Sequence, residues 1–155
     1  MNHALSQFAE QTGLARPENR PLRLAFGLAC VERVRHLLED PRAPACLDVL
    51  AAHVAGNADE AALARAAEEG AAVANGHRGS GSIDGSAHAA VSATYSVANA
   101  LAGRALEAAS YAAYATVYAY GGYAISDPDS FAPEFAWQVQ RLREMTAALA
   151  PVSAL

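Results

Sequence analysis

The chain contains no lysine. All eleven of its bases are arginine, set against sixteen acids for a net charge of −5 over 155 residues. That balance argues against general nucleic-acid binding, which needs a basic face to displace counterions, and it suits a basic protein partner instead. Alanine and arginine enrichment without lysine fits a GC-rich bacterial genome. Cysteine is nearly absent. Cys30 and Cys46 stand in apolar, helix-like surroundings with no CxxC or Cys/His spacing, which points to buried free thiols in a reducing compartment. The first residues, MNHALSQFAEQTG, lack the basic start and apolar core of a secretory signal, so the expected location is cytoplasmic.

Charge is also missing locally. From Ala108 to Ser126 the only ionisable side chains are tyrosines. The run approaches the roughly 20 residues of a membrane span. Its content is Ala, Ser, Thr and Tyr, tyrosine prefers the interface to the bilayer centre, and no base follows before Arg141, so a buried helix is expected and no membrane partner. Large aliphatics are scarce as well. The hydrophobic fraction is 53%, about half of it alanine, which predicts a tight, thin core in a single domain.

The chain is organised around residues 86–125, which hold all six tyrosines. Alanine loses no rotamer freedom in a helix, and Gly103 offers a break, so the stretch reads as two central helices near 86–101 and 104–120, the second ended by Gly121-Gly122. Tyr111, Tyr114 and Tyr118 fall on one helical stripe, with Tyr120 and Tyr123 on the other side. Bulk on two faces predicts burial round most of the circumference, with the tyrosine rings forming core rather than enclosing a ligand cavity.

Around this pair the spacing predicts further helices. The first covers 2–13 and is closed by Gly13; 14–20 is a loop. A strongly amphipathic helix follows from Pro21 to about Glu39, with Leu24, Leu28, Val31, Val34, Leu37 and Leu38 inward and Pro41 beyond its end. A third runs from about Pro44 to Val54 and closes at Gly56. The fourth is capped by Asn57 with Glu60 three residues later, its thin apolar face being Leu63, Ala66, Ala67 and Val73. Residues 76–82, GHRGSGS, read as a hinge, Asp127 to Ser130 as a turn and cap, and Phe135 to Leu149 as the last helix, with Phe135, Val139, Leu142 and Met145 inward. The fold class is therefore all-α, a single-domain bundle of about six to seven helices.

Catalytic patterns are weak. GHRGSGS has neither the P-loop spacing nor a lysine. Glu32/His36 and Asp84/His88 are i, i+4 pairs of the kind found on helix surfaces, whereas di-metal bundles use Glu-x-x-His. No GxSxG elbow presents a nucleophile. Asn99, polar in an apolar setting, reads as satisfying a neighbouring backbone group or tyrosine hydroxyl.

Read together, LACVERVRHLLED, NADEAALARAAEEGAAVAN and HAAVSATYSVANALAGRALEAASYAAYA resemble a bacterial family of immunity proteins, the immunity-protein-five-like group found beside polymorphic toxins; the resemblance covers about residues 22–125. Cys30, Glu32, Leu37, Leu38 and Glu39 match the family's first helical element. His88, Ala89, Ala90, Asn99, Ala100 and Gly103 match its alanine- and histidine-rich central pair, with Ser96, Asn99 and Arg104 standing where further histidines are expected. The resemblance implies a small helical inhibitor that masks a cognate toxin by direct binding, with no enzymatic activity, cofactor or metal. With the net acidity, it makes Glu68, Glu69, Asp127, Asp129 and Glu134 the candidate partner-binding residues, as acids outside the core. The competing expectation is a ligand-binding or enzymatic domain with a tyrosine-lined centre using Asn99 and tyrosine hydroxyls. An exposed alanine face would instead serve self-association into a homo-oligomer.

Overall fold

The computed structural model describes residues 1–77 and 86–149. Among these residues seven α-helices form the bundle: α1 (His3–Thr12), α2 (Arg20–Glu32), α3 (Arg42–Val54), α4 (Glu60–Gly76), α5 (Ser86–Leu101), α6 (Ala105–Tyr120) and α7 (Ala132–Leu149). Short 3₁₀ turns at Pro17–Asn19, Arg35–Leu37, Gly122–Ser126 and Pro128–Phe131 connect them. No described residue lies in a strand, and no described helix is long and apolar enough to cross a membrane.

The α5–α6 hairpin is the centre. Its turn is made by Gly103, whose φ of +75° is open to glycine and costly for residues with a Cβ. The N–H groups of Gly103 and Arg104 bond the carbonyls of Ala100 and Asn99, closing α5 with a Schellman motif. Across the hairpin the contact side chains are small. Ala93, Ser96, Ala100, Ala108, Ala109 and Ala112 are all fully buried, and the Ser96 hydroxyl donates to the Ala108 carbonyl at 2.8 Å. α2 crosses both helices at Gly27, where an added Cβ would sit 3.3 Å from the Ala100 Cβ and 3.9 Å from that of Ala108.

Bulky side chains lie to either side of this small-residue seam. Leu5, Leu14, Leu22, Phe26, Val34 and Leu142 fill the space between α1, α2, α6 and α7. Leu24, Val31, Leu47, Leu50, Leu63 and Leu101 fill that between α2, α3, α4 and α5. A smaller cluster of Val117, Ala124 and Phe131 seals the C-terminal end of α6. Buried polar groups are used as clamps. Gln138 donates to the Ala109 carbonyl at 2.8 Å and accepts from Asn2, whose own Oδ1 caps α1 through the Leu5 N–H. Asn2 also donates to the Phe135 carbonyl at 3.2 Å, so one asparagine ties α1 to α7.

Four expectations are corrected. α2 stops at Glu32 rather than Glu39: Arg33 and Val34 bond three residues back, and a 3₁₀ turn follows. The tightened chain sends Arg33 to Glu134 of α7 and Arg35 to Asp48 of α3, contacts that compete with local helix propensity. α4 is capped by Asp59, whose Oδ1 accepts from Ala62 N at 2.8 Å, and not by Asn57. Asn57 instead completes the Schellman end of α3, its N–H bonding the Ala52 carbonyl beyond Gly56, which has φ +83°. Gly76 belongs to α4 rather than to a hinge; the rest of that expected hinge and Asp84 lie mainly outside the described residues. The tyrosines, finally, are not core. None of the six is among the fully buried residues, and Tyr111, Tyr114, Tyr120 and Tyr123 are 38%, 37%, 59% and 81% exposed. Alanine fills the inward faces so closely that a ring fits only outside.

That packing makes an unequal response along one helix. Replacing buried Ala112 by leucine should overpack the hairpin and cost about 1–3 kcal/mol, whereas leucine at exposed Ala119 should change stability by less than about 0.5 kcal/mol. Urea melts of the two variants measure the difference.

Candidate functional site

Two matching stripes run along the uncovered side of the central hairpin. On α5, His88, Ser92, Tyr95 and Asn99 follow one another at four, three and four residues; on α6, Glu107, Tyr111, Tyr114 and Tyr118 repeat that spacing. Because residues at these intervals share a helix face, the antiparallel pairing sets them side by side. Tyr95 stacks on Tyr111 with centroids 5.4 Å apart, and His88 stacks on Tyr118 at 5.1 Å. Tyr114 bridges Tyr118 and the edge of Phe131, which in turn meets Phe135. The result is an aromatic ladder from the hairpin turn to the start of α7. Stacked and edge-on rings contribute about 0.5–1.5 kcal/mol per pair beyond burial, enough to hold them in place at the surface.

Among the described residues the tyrosine hydroxyls have no hydrogen-bond partner. Asn99, by contrast, spends its amide on the Tyr95 carbonyl at 2.8 Å, the backbone role expected of it. A tyrosine-lined enclosed centre is not what these rings make; they stack on the outside of the hairpin. The fixed charges on the ladder's α6 side are acidic. From Ala105 to Gln140 there is no arginine or lysine, while Glu107 stands exposed at one end and Asp127 and Asp129 at the other. Asp127 caps the 3₁₀ turn by accepting from the Asp129 N–H at 3.0 Å, and that turn carries the Phe131 that meets Tyr114.

The five candidate acids thus divide. Asp127 and Asp129 sit beside the ladder. Glu68 and Glu69 are exposed too, but on α4, which packs against α3 and α5 away from the α6 stripe. Glu134 is corrected outright: it is 4% exposed and is held by Arg33 through two bonds, Nε to Oε1 at 2.7 Å and Nη2 to Oε2 at 2.8 Å. Its expected place, in the turn before a helix starting at Phe135, suggested a solvated acid; it lies instead in the first turn of α7, and its partner lies 101 residues away in sequence. The Arg33 guanidinium also covers the Trp137 ring at 4.0 Å, and the hydrogen bond to Glu134 raises its pKa. Behind the pair, burial and then the Glu134 charge push the Cys30 thiol far above its ordinary range, leaving it an inert core group. His36, expected to face Glu32, gives way to Arg35, 3.8 Å from the Glu32 carboxylate.

Among the described residues, no group of three or more His, Cys, Asp or Glu side chains is placed to hold a metal ion. Comparison with protein-family models, with curated protein sequences and with solved structures finds no match. The tyrosines of this ladder were in view in the sequence but were expected to face inward. The repeated 4-3-4 spacing on both helices, with serine and asparagine among the aromatics, is the signal of a half-exposed stripe. Nothing local marks the Arg33–Glu134–Trp137 group.

The Arg33–Glu134 pair is unevenly buried, with side-chain exposures of 39% and 5%, and this sets the direction of its response to mutation. Arg33→Met strands a buried carboxylate and should cost about 3–5 kcal/mol, whereas Glu134→Gln leaves a guanidinium that water still reaches and should cost about 1–2 kcal/mol. Denaturant unfolding of the two variants gives the order.

Proposed function

We propose that this chain is an immunity-type inhibitor that neutralises a cognate toxin by binding it through the acidic, aromatic face of the α5–α6 hairpin. The observation that carries the reading is the exposed tyrosine ladder bracketed by Glu107, Asp127 and Asp129. Tyrosine offers a large, rigid ring with a polar tip and loses little rotamer entropy on binding, which is why it recurs at interface hot spots. A stripe whose helices carry acids but no lysine or arginine between Ala105 and Gln140 favours a partner surface rich in lysine and arginine. Such cations gain both the long-range field and the faces of the rings. The sequence resemblance to toxin-neutralising immunity proteins supplies the class of partner.

The test uses the protein encoded next to this gene, assayed for toxicity with and without co-expression and for binding to the purified chain. Tyr111→Ala and Tyr114→Ala should each weaken the complex by about 2 kcal/mol, roughly 30-fold. Asp129→Arg should slow association and flatten its salt dependence. Glu68→Arg and Glu69→Arg, on α4, should leave affinity within about threefold. A neighbour that is neither toxic nor bound, or a complex indifferent to the tyrosine substitutions, would contradict the proposal.

A further inference from the structure

A groove of about 420 Å³ lies where α1 and the turn after it meet the start of α6. Its walls include Ala9, Leu14 and Leu106, and its polar rim carries three arginines: Arg16, Arg23 and Arg104. Elsewhere the arginines are largely spent. Arg20, Arg33, Arg35, Arg42 and Arg141 each reach a carboxylate oxygen at 2.7 to 3.3 Å, and Arg143 lies over the Phe8 ring. The three in the groove pair with no carboxylate among the described residues, although Glu10 and Glu107 line the same groove. Glu10 and Glu107 offset two of these three charges through space without pairing with them, so the groove keeps a net positive charge and guanidinium donors open to an anion.

The chain fixes one of these arginines by hydrogen bonds. Arg23 donates through Nη1 to the carbonyls of Leu14 and Arg16, both at 2.7 Å, leaving Nε and Nη2 without a bond to a described residue. Arg16 lies against Gly13, whose φ of +68° favours glycine and where a Cβ would fall 2.7 Å from the Arg16 Nε. Arg104 precedes α6 at its N-terminal end, where no side chain caps the helix and Glu107 stands in the first turn. An apolar wall with a few converging polar groups is the general form of a small-molecule site.

We infer that this groove binds a small amphiphilic anion: a carboxylate or phosphate monoester on a short apolar body. The anionic group meets the guanidinium rim, and the body covers Ala9, Leu14 and Leu106. The site does not depend on the tyrosine ladder or on a toxin partner, which it adjoins only at Glu107.

Isothermal titration calorimetry on the full chain, with hexyl phosphate, hexanoate, inorganic phosphate and hexanol as probes, tests the assignment. Hexyl phosphate or hexanoate should saturate one site with a Kd near or below about 1 mM, and inorganic phosphate and hexanol should bind at least about tenfold more weakly. The double variant Arg16→Gln, Arg104→Gln, chosen because Arg23 also braces the turn, should weaken the anion by about tenfold or more while its melting temperature stays near that of the parent. Absence of saturable binding by both amphiphiles overturns the inference. So does inorganic phosphate binding as tightly as hexyl phosphate, or amphiphile binding that the arginine variant leaves unchanged.

Discussion

Three helices meet at Gly27, Ala100 and Ala108, and almost everything else in the bundle follows from how closely they approach there. Dispersion falls off steeply with distance, so backbones brought together over methyl groups gain many contacts that larger side chains would forbid. The bulky residues are displaced to the flanks, where they form two separate leucine-rich clusters instead of one central core. Buried Ser96 and Gln138, with half-buried Asn2, stitch across these contacts by hydrogen bonds to carbonyls or amides, so the close packing strands few polar groups.

The same constraint creates the surface. A helix seam filled by alanine has no room for rings, and the hairpin's tyrosines must stand on its outer side, where they stack on each other and on His88. An aromatic face built in this way is preorganised: the rings are held by their neighbours before any partner arrives, which lowers the ordering cost of association. Its acidity comes from what the stretch lacks, since no base lies between Ala105 and Gln140 and Glu134, the one buried acid there, is neutralised by Arg33. Core, face and charge are thus three consequences of one compositional choice.

Much of the architecture was legible in the sequence because it is written in local terms. Gly13, Gly56 and Gly103 stop helices, and the two central helices run within one residue of the expected 86–101 and 104–120. What could not be read was decided at long range. The early end of α2 depends on Asp48 and Glu134, and the burial of Glu134 depends on Arg33, partners that no window of sequence contains. Asn57 and Asp59 are equally good caps by type; the glycine beside Asn57 assigns it to the helix before. The tyrosines were set on the wrong side for a different reason. In a helix made of alanine and tyrosine both faces are moderately apolar, so periodicity identifies a stripe without saying which way it turns. Of the candidate acids, Asp127 and Asp129 are exposed near the aromatic stripe, Glu68 and Glu69 lie on another helix, and the grouping of arginines by the α5–α6 turn had no sequence signature.

The account rests on the orientation of Tyr111 and Tyr114 and on their use in binding. Nitration of the native chain with tetranitromethane, read tyrosine by tyrosine by peptide mass spectrometry with and without the neighbouring gene's product, measures both at once. The account predicts that Tyr111 and Tyr114 react in the free chain, alongside the 81%-exposed Tyr123 as reference, and that both are protected in the complex. Unreactive Tyr111 and Tyr114 in the free folded chain, or equal reactivity in the complex, would contradict it.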